Sequence, residues 1–310
     1  MRARLVRKGF INTAHRVEFG MMTPRFITIK GIDEKELTTM KKPLVWTAVA
    51  VFGLLSVMTS VAVRQADARG NTRKDFVAPI IFQAAGPTIA SIQSSVDGFR
   101  AALGAPNNGN AAGPLAGGRR EINWDGGGSA ATAVVPTPFT GFLNRGALFT
   151  TPGTGFVQAP LSGVATTFGN PTYEAILQAF SPVRLFSAIG SNITEVDFSV
   201  PGSPNMSATT TGFGAVFSDV DQPGGSKKGK RGASSLIEYF GVDGELLFTS
   251  FVPASPGDGS LSFVGVVFAD ARIARVRITS GDAAPGPDDD SKLDIVMMDD
   301  FLYGEPRPLP

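Results

Sequence analysis

The stretch LIEYFGVDGELLFTSFV, residues 236–252, decides the fold class. Two runs rich in aromatic and aliphatic residues flank Val242-Asp243-Gly244-Glu245. Asp-Gly between such runs is a strong signal for a tight turn, so the spacing predicts a β-hairpin. Upstream, Ile193, Val196, Phe198 and Val200 belong to a run that nearly alternates, and Gly212-Phe213-Gly214-Ala215-Val216-Phe217-Ser218-Asp219 is another strand. Downstream, residues 261–268, a turn at Ala269-Asp270-Ala271, and residues 273–279 predict a second hairpin, and residues 294–303 a last strand. Strands of this length, separated by Gly, Pro and Asp turns, predict a mainly β protein, a β-sandwich of jelly-roll type.

Further upstream the period changes. Ile89, Ile92, Val96, Phe99 and Leu103 recur at three- and four-residue spacing, which predicts one amphipathic helix over 87–103, with Pro87 in its first turn and Gly104 at its end. Residues 119–124 read as a short strand, and residues 126–170, rich in Gly, Pro, Thr and Ala with scattered Phe, as short strands joined by loops. The expected organisation is a helix plus short-strand region over 69–180, a sandwich core over 181–305 and a tail over 306–310. Residues 69–305 form one compact domain in this reading.

The N-terminal segment speaks to destination. Residues 44–63 carry no charge, Lys41 and Lys42 precede them, and Ala66-Asp67-Ala68 supplies small residues at a cleavage site. Together these describe a secretory signal over 40–68. Met40 stands as a natural start, which makes 1–39 a dispensable leader. The alternative is a retained membrane anchor, since about 20 apolar residues span a bilayer. The expected location is secreted or extracytoplasmic.

Composition excludes much chemistry. Residues 1–68 hold 11 of the 28 Lys and Arg and 5 of the 27 Asp and Glu, so residues 69–310 carry a net charge of about −5. That is no footprint for nucleic acid. The one clustered basic run, Lys227, Lys228, Lys230 and Arg231, reads as a solvated loop tip. There is no cysteine, and the only histidine is His15. Disulfides, Ser-His-Asp hydrolysis and typical zinc sites are therefore excluded from residues 69–310, and neither haem nor nucleotide is expected.

What remains is carboxylate and aromatic chemistry. Asp219 and Asp221 end an apolar strand, and Asp299 and Asp300 lie on the last one; together they are candidate ligands for Ca²⁺, which takes six to eight oxygens. Trp124, between Asn123 and Asp125 in a Gly-rich setting, is the candidate ligand-stacking group, with a partly buried indole anchoring a loop as the plainer alternative. Arg275 and Arg277 share a strand face and are expected to balance aspartates of the last strand. Glu195 and Asp197 share one face of their strand. Glu195-Val196-Asp197 resembles the E-x-D core of laminarinase- and lichenase-type glycoside hydrolases. In that pattern a glutamate follows, and here Ser199 and Val200 occupy its positions.

The Gly212–Asp221 run, the Phe263-Val264-Gly265-Val266 strand and the ending Met298-Asp299-Asp300-Phe301-Leu302-Tyr303-Gly304-Glu305 are similar to uncharacterised bacterial exported proteins whose C-terminal half is jelly-roll or lectin-like. The resemblance covers about residues 180–305. Some of those proteins carry a C-terminal sorting signal, whereas no sorting helix follows Glu305 here. It implies export and fold but no activity. The expected function is thus a non-catalytic exported binding or structural module, calcium-stabilised, with a glycan or envelope component as partner. A carboxylate-dependent glycoside hydrolase and a matrix protein without a small ligand are the alternatives.

Overall fold

The computed structural model describes residues 78–223, 235–288 and 293–309. The expectations for the 1–39 leader, the 40–68 signal, the polar stretch that follows it and the basic cluster at 227–231 lie outside the described residues.

Two antiparallel sheets pack face to face, as the strand pattern predicts. Sheet one runs β1 (Ile80–Gly86), β12 (Leu261–Val267), β9 (Gly212–Ser218), β14 (Met297–Gly304), β6 (Arg184–Ile189), β5 (Gly155–Pro160) and β3 (Ala133–Pro136), with β2 (Arg119–Ile122) also paired to β14. Sheet two runs β11 (Leu246–Phe251), β10 (Leu236–Phe240), β13 (Arg275–Thr279), β7 (Ile193–Val200), β8 (Ser203–Thr209) and β15 (Arg307–Pro308), with β4 (Ala147–Thr150) also on β7. The 236–252 hairpin forms as read. Leu236 faces Phe251, Gly241 N–H donates to Glu245 O at 3.0 Å, and Gly244 takes the positive φ of 76° that its turn requires.

The second hairpin does not form. β12 pairs with β1 and β9 in sheet one, whereas β13 pairs with β10 and β7 in sheet two. Six of the seven β12 residues are buried, so this strand is covered on both faces; β13 alternates buried and half-buried, so one of its faces meets solvent. Strands with such different surroundings belong to different layers, and the turn between them crosses the sandwich. Arg275 and Arg277 accordingly lie opposite Asp197 and Glu195 of β7, not opposite the aspartates of β14.

The central strands of sheet one are covered outside by helices, which explains their continuous burial. Helix α1 (Ile89–Leu103) buries Ile92, Val96, Phe99 and Leu103 against Val216, Phe263 and Leu302. Ile89, expected on the same stripe, is 38% exposed because it lies at the helix start. Gly104 ends the helix with φ 96°. The Phe99 ring sits over Gly214 and Gly265, which face each other across β9 and β12; a Cβ on Gly265 would stand 2.7 Å from that ring. Two further helices, α2 (Leu161–Phe168) and α3 (Tyr173–Ile176), occupy a region read as short strands and loops or left unassigned. They cover Val157, Ala159, Leu185 and Met297. Strand β1, also unread in the sequence, closes the sheet-one edge beside β12.

The last strand is tied down by a buried ion pair. Arg120 Nε and Nη2 donate to the two Glu305 carboxylate oxygens, each at 2.7 Å, with both side chains essentially excluded from solvent. Asn108 Nδ2 and the Leu115 N–H also donate to Glu305, while Arg120 Nη1 donates to the carbonyls of Gly109, Ala111 and Asn144. Every charge is thus answered, and removing one member leaves the other buried without a counter-charge. Arg120→Met is expected to lower the unfolding free energy by about 3–5 kcal/mol in a denaturant titration. The double replacement Arg120→Met with Glu305→Met is expected to recover part of that loss.

Candidate functional site

β14 is buried along its whole length and carries a break at Asp299-Asp300. On one edge it pairs with β9 on either side of that break. On the other, Met298 faces Phe186 of β6, and Phe301 to Gly304 face β2. The two aspartates lie where one partner strand ends and the next begins. Asp299 Oδ2 accepts from the Phe180 and Ser181 N–H groups at 2.6 and 3.1 Å, and Ser181 Oγ lies 3.1 Å from Asp299 Oδ1 and 2.6 Å from Asp300 Oδ1. Arg100 of α1 reaches Asp300 at 3.4 Å and Glu121 at 3.0 Å. Burial first, and for Asp299 then the neighbouring Asp300 charge, pushes both carboxyls above the usual carboxylate range, Asp299 the further.

This junction organises Trp124, which follows β2 with φ 64°. Its Nε1 donates to Asp299 O at 2.9 Å, and its ring stacks on Phe186 with centroids 3.7 Å apart. Phe142, Phe149 and Phe301 pack edge-on around it. At 1% exposure Trp124 is a core residue and has no face to offer a ligand. Its neighbours also serve structure: Asp125 Oδ1 accepts from the Val183 and Arg184 N–H groups at 3.0 and 3.1 Å, and exposed Asn123 donates to Asp125 Oδ2 at 3.3 Å. None of these three residues lines the nearby opening, whose lining comes from other positions.

That opening is a cleft of about 590 Å³ at the β3–β5–β6 edge of the sandwich. One wall is the 126–129 turn, wrapped around Arg184. Arg184 Nε donates to Ser129 O at 2.9 Å, and its terminal nitrogens donate to the carbonyls of Trp124, Gly126 and Gly128. The facing wall carries the half-buried rings of Phe139 and Phe142. Arg145, just beyond them, donates from Nε to Asn110 Oδ1 at 2.7 Å and from Nη1 to Glu121 O, and its guanidinium lies 5.3 Å over the Phe142 ring. From β5 comes Gln158. Phe156, two residues earlier, enters the main core, so Gln158 stands on the same inward face. It is only 7% exposed, and among the described residues no hydrogen bond engages its side-chain amide. Neither amide atom is among the side-chain polar atoms sealed from solvent, so the amide opens to the cleft.

Gln158, Arg145 and Arg184 were not singled out in the sequence. Gln158 and Arg184 leave a signal, each being a polar residue set inside an apolar run (Phe156-Val157-Gln158-Ala159 and Val183-Arg184-Leu185-Phe186).

The four aspartates expected to bind Ca²⁺ do not assemble. Among the described residues no group of three or more Asp, Glu, His or Cys is arranged to hold a metal ion. Asp219 is buried with φ 69° and its N–H donates to Ser260 O. Asp221 turns away to brace loops: its Oδ1 accepts from the Gly257 N–H at 2.9 Å, and its own N–H donates to Asp294 Oδ1 at 3.1 Å. Asp294 N–H in turn donates to Asp282 Oδ1 at 2.9 Å.

Glu195 and Asp197 do share the outer face of β7. Glu195 is held by Arg277, whose Nη2 approaches Oε1 at 2.6 Å. Asp197 opens on a shallow groove of about 310 Å³ beside Arg275, Ser207 and Val242, and is the one carboxylate among the described residues lining it. Burial, opposed by Arg275, raises its pKa. A retaining or inverting glycosidase needs two carboxyl groups flanking the scissile bond, and this groove has one.

No protein-family model, curated protein or solved structure matches the chain.

Burial raises Asp294 to about 6, and Asp197, Asp299 and Asp300 also stand above the usual carboxylate range. A carboxyl with a folded-state pKa above its unfolded value of about 3.9 holds extra protons in the native state, so its contribution falls as pH rises through the folded pKa. The melting temperature is therefore expected to be higher at pH 5 than at pH 7.5. Asp294→Asn is expected to shrink that difference, and thermal melts of both proteins across the range measure it.

Proposed function

We propose that this chain is an exported, non-catalytic binding module whose β-sandwich holds a glycan in the cleft between the 126–129 turn and Phe139/Phe142. The observation that carries the proposal is the unengaged amide of the nearly buried Gln158, which opens into a cleft with an aromatic wall. A saccharide offers both things such a site lacks: hydroxyl groups to donate to and accept from an amide, and C–H faces that lie against aromatic rings. The volume falls within the range of about 300–1,000 Å³ typical of small-ligand sites. Export rests on the charge-free 44–63 run behind Lys41-Lys42 and on the Ala66-Asp67-Ala68 site that follows it.

The hydrolase reading lacks a second carboxylate in the groove that Asp197 lines, since Glu195 is held by Arg277, and this favours binding without turnover. Calcium forms no part of the proposal, because Asp219, Asp221, Asp299 and Asp300 are spread over separate structural duties.

Gly126 lies on the cleft wall, and a Cβ there meets no atom within 4 Å, so a large side chain fits the backbone while blocking the opening. A glycan array followed by calorimetry is expected to find an oligosaccharide ligand, and Gly126→Trp is expected to abolish its binding with an unchanged thermal melt. Binding that survives Gly126→Trp, or an array with no ligand, would remove the cleft from the account.

A further inference from the structure

We infer that the saccharide taken by this cleft is acidic, and that Arg145 together with the Gln158 amide receives its carboxylate or sulfate group. The inference rests on the glycan-binding reading above and narrows it to a charge class.

The lining decides the sign. Two guanidinium groups, Arg145 and Arg184, face the cleft, and no carboxylate among the described residues lines it. The surplus is local, because residues 69–310 carry a net charge of about −5. An anionic ligand therefore finds a positive site on a protein that otherwise repels it, which is a condition for selectivity and not for general adhesion.

The two arginines have different duties. Arg184 donates from all three of its nitrogens to carbonyls of the 124–129 turn that it folds around itself. Arg145 does not. Two of its nitrogens meet neutral oxygens, at Asn110 Oδ1 and Glu121 O, and no hydrogen bond engages Nη2 among the described residues. No carboxylate lies within ion-pair distance of it among the described residues, in contrast to Arg100, Arg119, Arg120, Arg272 and Arg277. A half-buried cation with an open edge and no counter-charge is a ready partner for a planar or tetrahedral anion, which a guanidinium binds through its donor fork. The Asn110 and Phe142 contacts hold that fork in place before a ligand arrives.

Gln158 completes the pocket chemically. Its amide supplies both a donor for an anionic oxygen and an acceptor for a neighbouring sugar hydroxyl. The rings of Phe139 and Phe142 supply the apolar wall against which the sugar ring lies. Removing the Arg145 charge takes away a charge-assisted contact, and this corresponds to at least about tenfold in affinity.

The test uses three oligosaccharides of equal length: a uronate form, its carboxyl-reduced neutral counterpart, and a sulfated form. Calorimetry on the protein is expected to give at least about tenfold tighter binding of an acidic form than of the neutral one, weakening as sodium chloride is raised. Whether the uronate or the sulfated form binds identifies the group received, and either supports the inference. Arg145→Gln is expected to erase the preference, and Arg145→Lys to keep part of it. Gln158→Glu places a negative charge in the same cleft and is expected to lose acidic ligands while retaining any neutral one, so the inference does not depend on a single variant folding. Equal affinity for the uronate and its reduced counterpart, without salt dependence, overturns the acidic assignment while leaving glycan binding intact. Failure of every oligosaccharide to bind overturns both.

Discussion

The constraint from which the architecture follows is the burial of β14 on both faces and along both edges. A strand so enclosed must find partners for every backbone group, because an orphaned peptide group in the interior costs as much as a lost hydrogen bond. β9 meets one edge with a bulge at Asp299-Asp300, and the other edge is divided between β6 and β2. Asp299 and Asp300 stand at the division. There a carboxylate takes the Phe180 and Ser181 N–H groups and the Asp299 carbonyl takes the Trp124 indole, so side chains replace ladder bonds where no strand is available. The Trp124 stack, the 124–129 turn and the lining of the cleft are all set out from that junction.

The cleft has a physical origin in the same arrangement. Pulling Trp124 inward leaves the following Gly-rich residues to cross the edge of sheet one, and Arg184 holds them by donating to four of their carbonyls. The opening that results is bounded by backbone on one side and by Phe139 and Phe142 on the other. Gln158 and Arg145 are left with donors that the fold itself does not use.

The outer face of sheet two shows how the same residue types serve structure instead. Glu238, Arg277 and Glu195 lie in register across β10, β13 and β7, and Phe240, Arg275 and Asp197 form the next row. Opposite charges alternate across the strands, and both arginines lie over Phe240, at 4.8 and 5.9 Å. Such rows stabilise a solvent-facing sheet through cross-strand pairing. The E-x-D pattern of β7 is thereby explained as one side of a charge ladder, without reference to a glycosidase.

Local signals in the sequence determined the sandwich class, the 236–252 hairpin, helix α1 with its Phe99 stripe, and the outward face shared by Glu195 and Asp197, because turn chemistry and periodicity act over a few residues. Only the tertiary structure decided which strands pair, since that depends on how many faces each strand buries: β12 and β13 are neighbours in the chain and lie in different sheets. It also decided the fate of the marked residues. Trp124 in a Gly-rich setting reads either as a ligand-stacking group or as a partly buried indole, and the Phe186 stack decides for the core; paired aspartates read as a metal site until their backbone donors are seen. Gln158 carried only the mark of a polar residue in an apolar run and Arg145 none, because an unanswered hydrogen bond is a property of what surrounds a residue, and those surroundings are brought together by chain segments far apart in sequence.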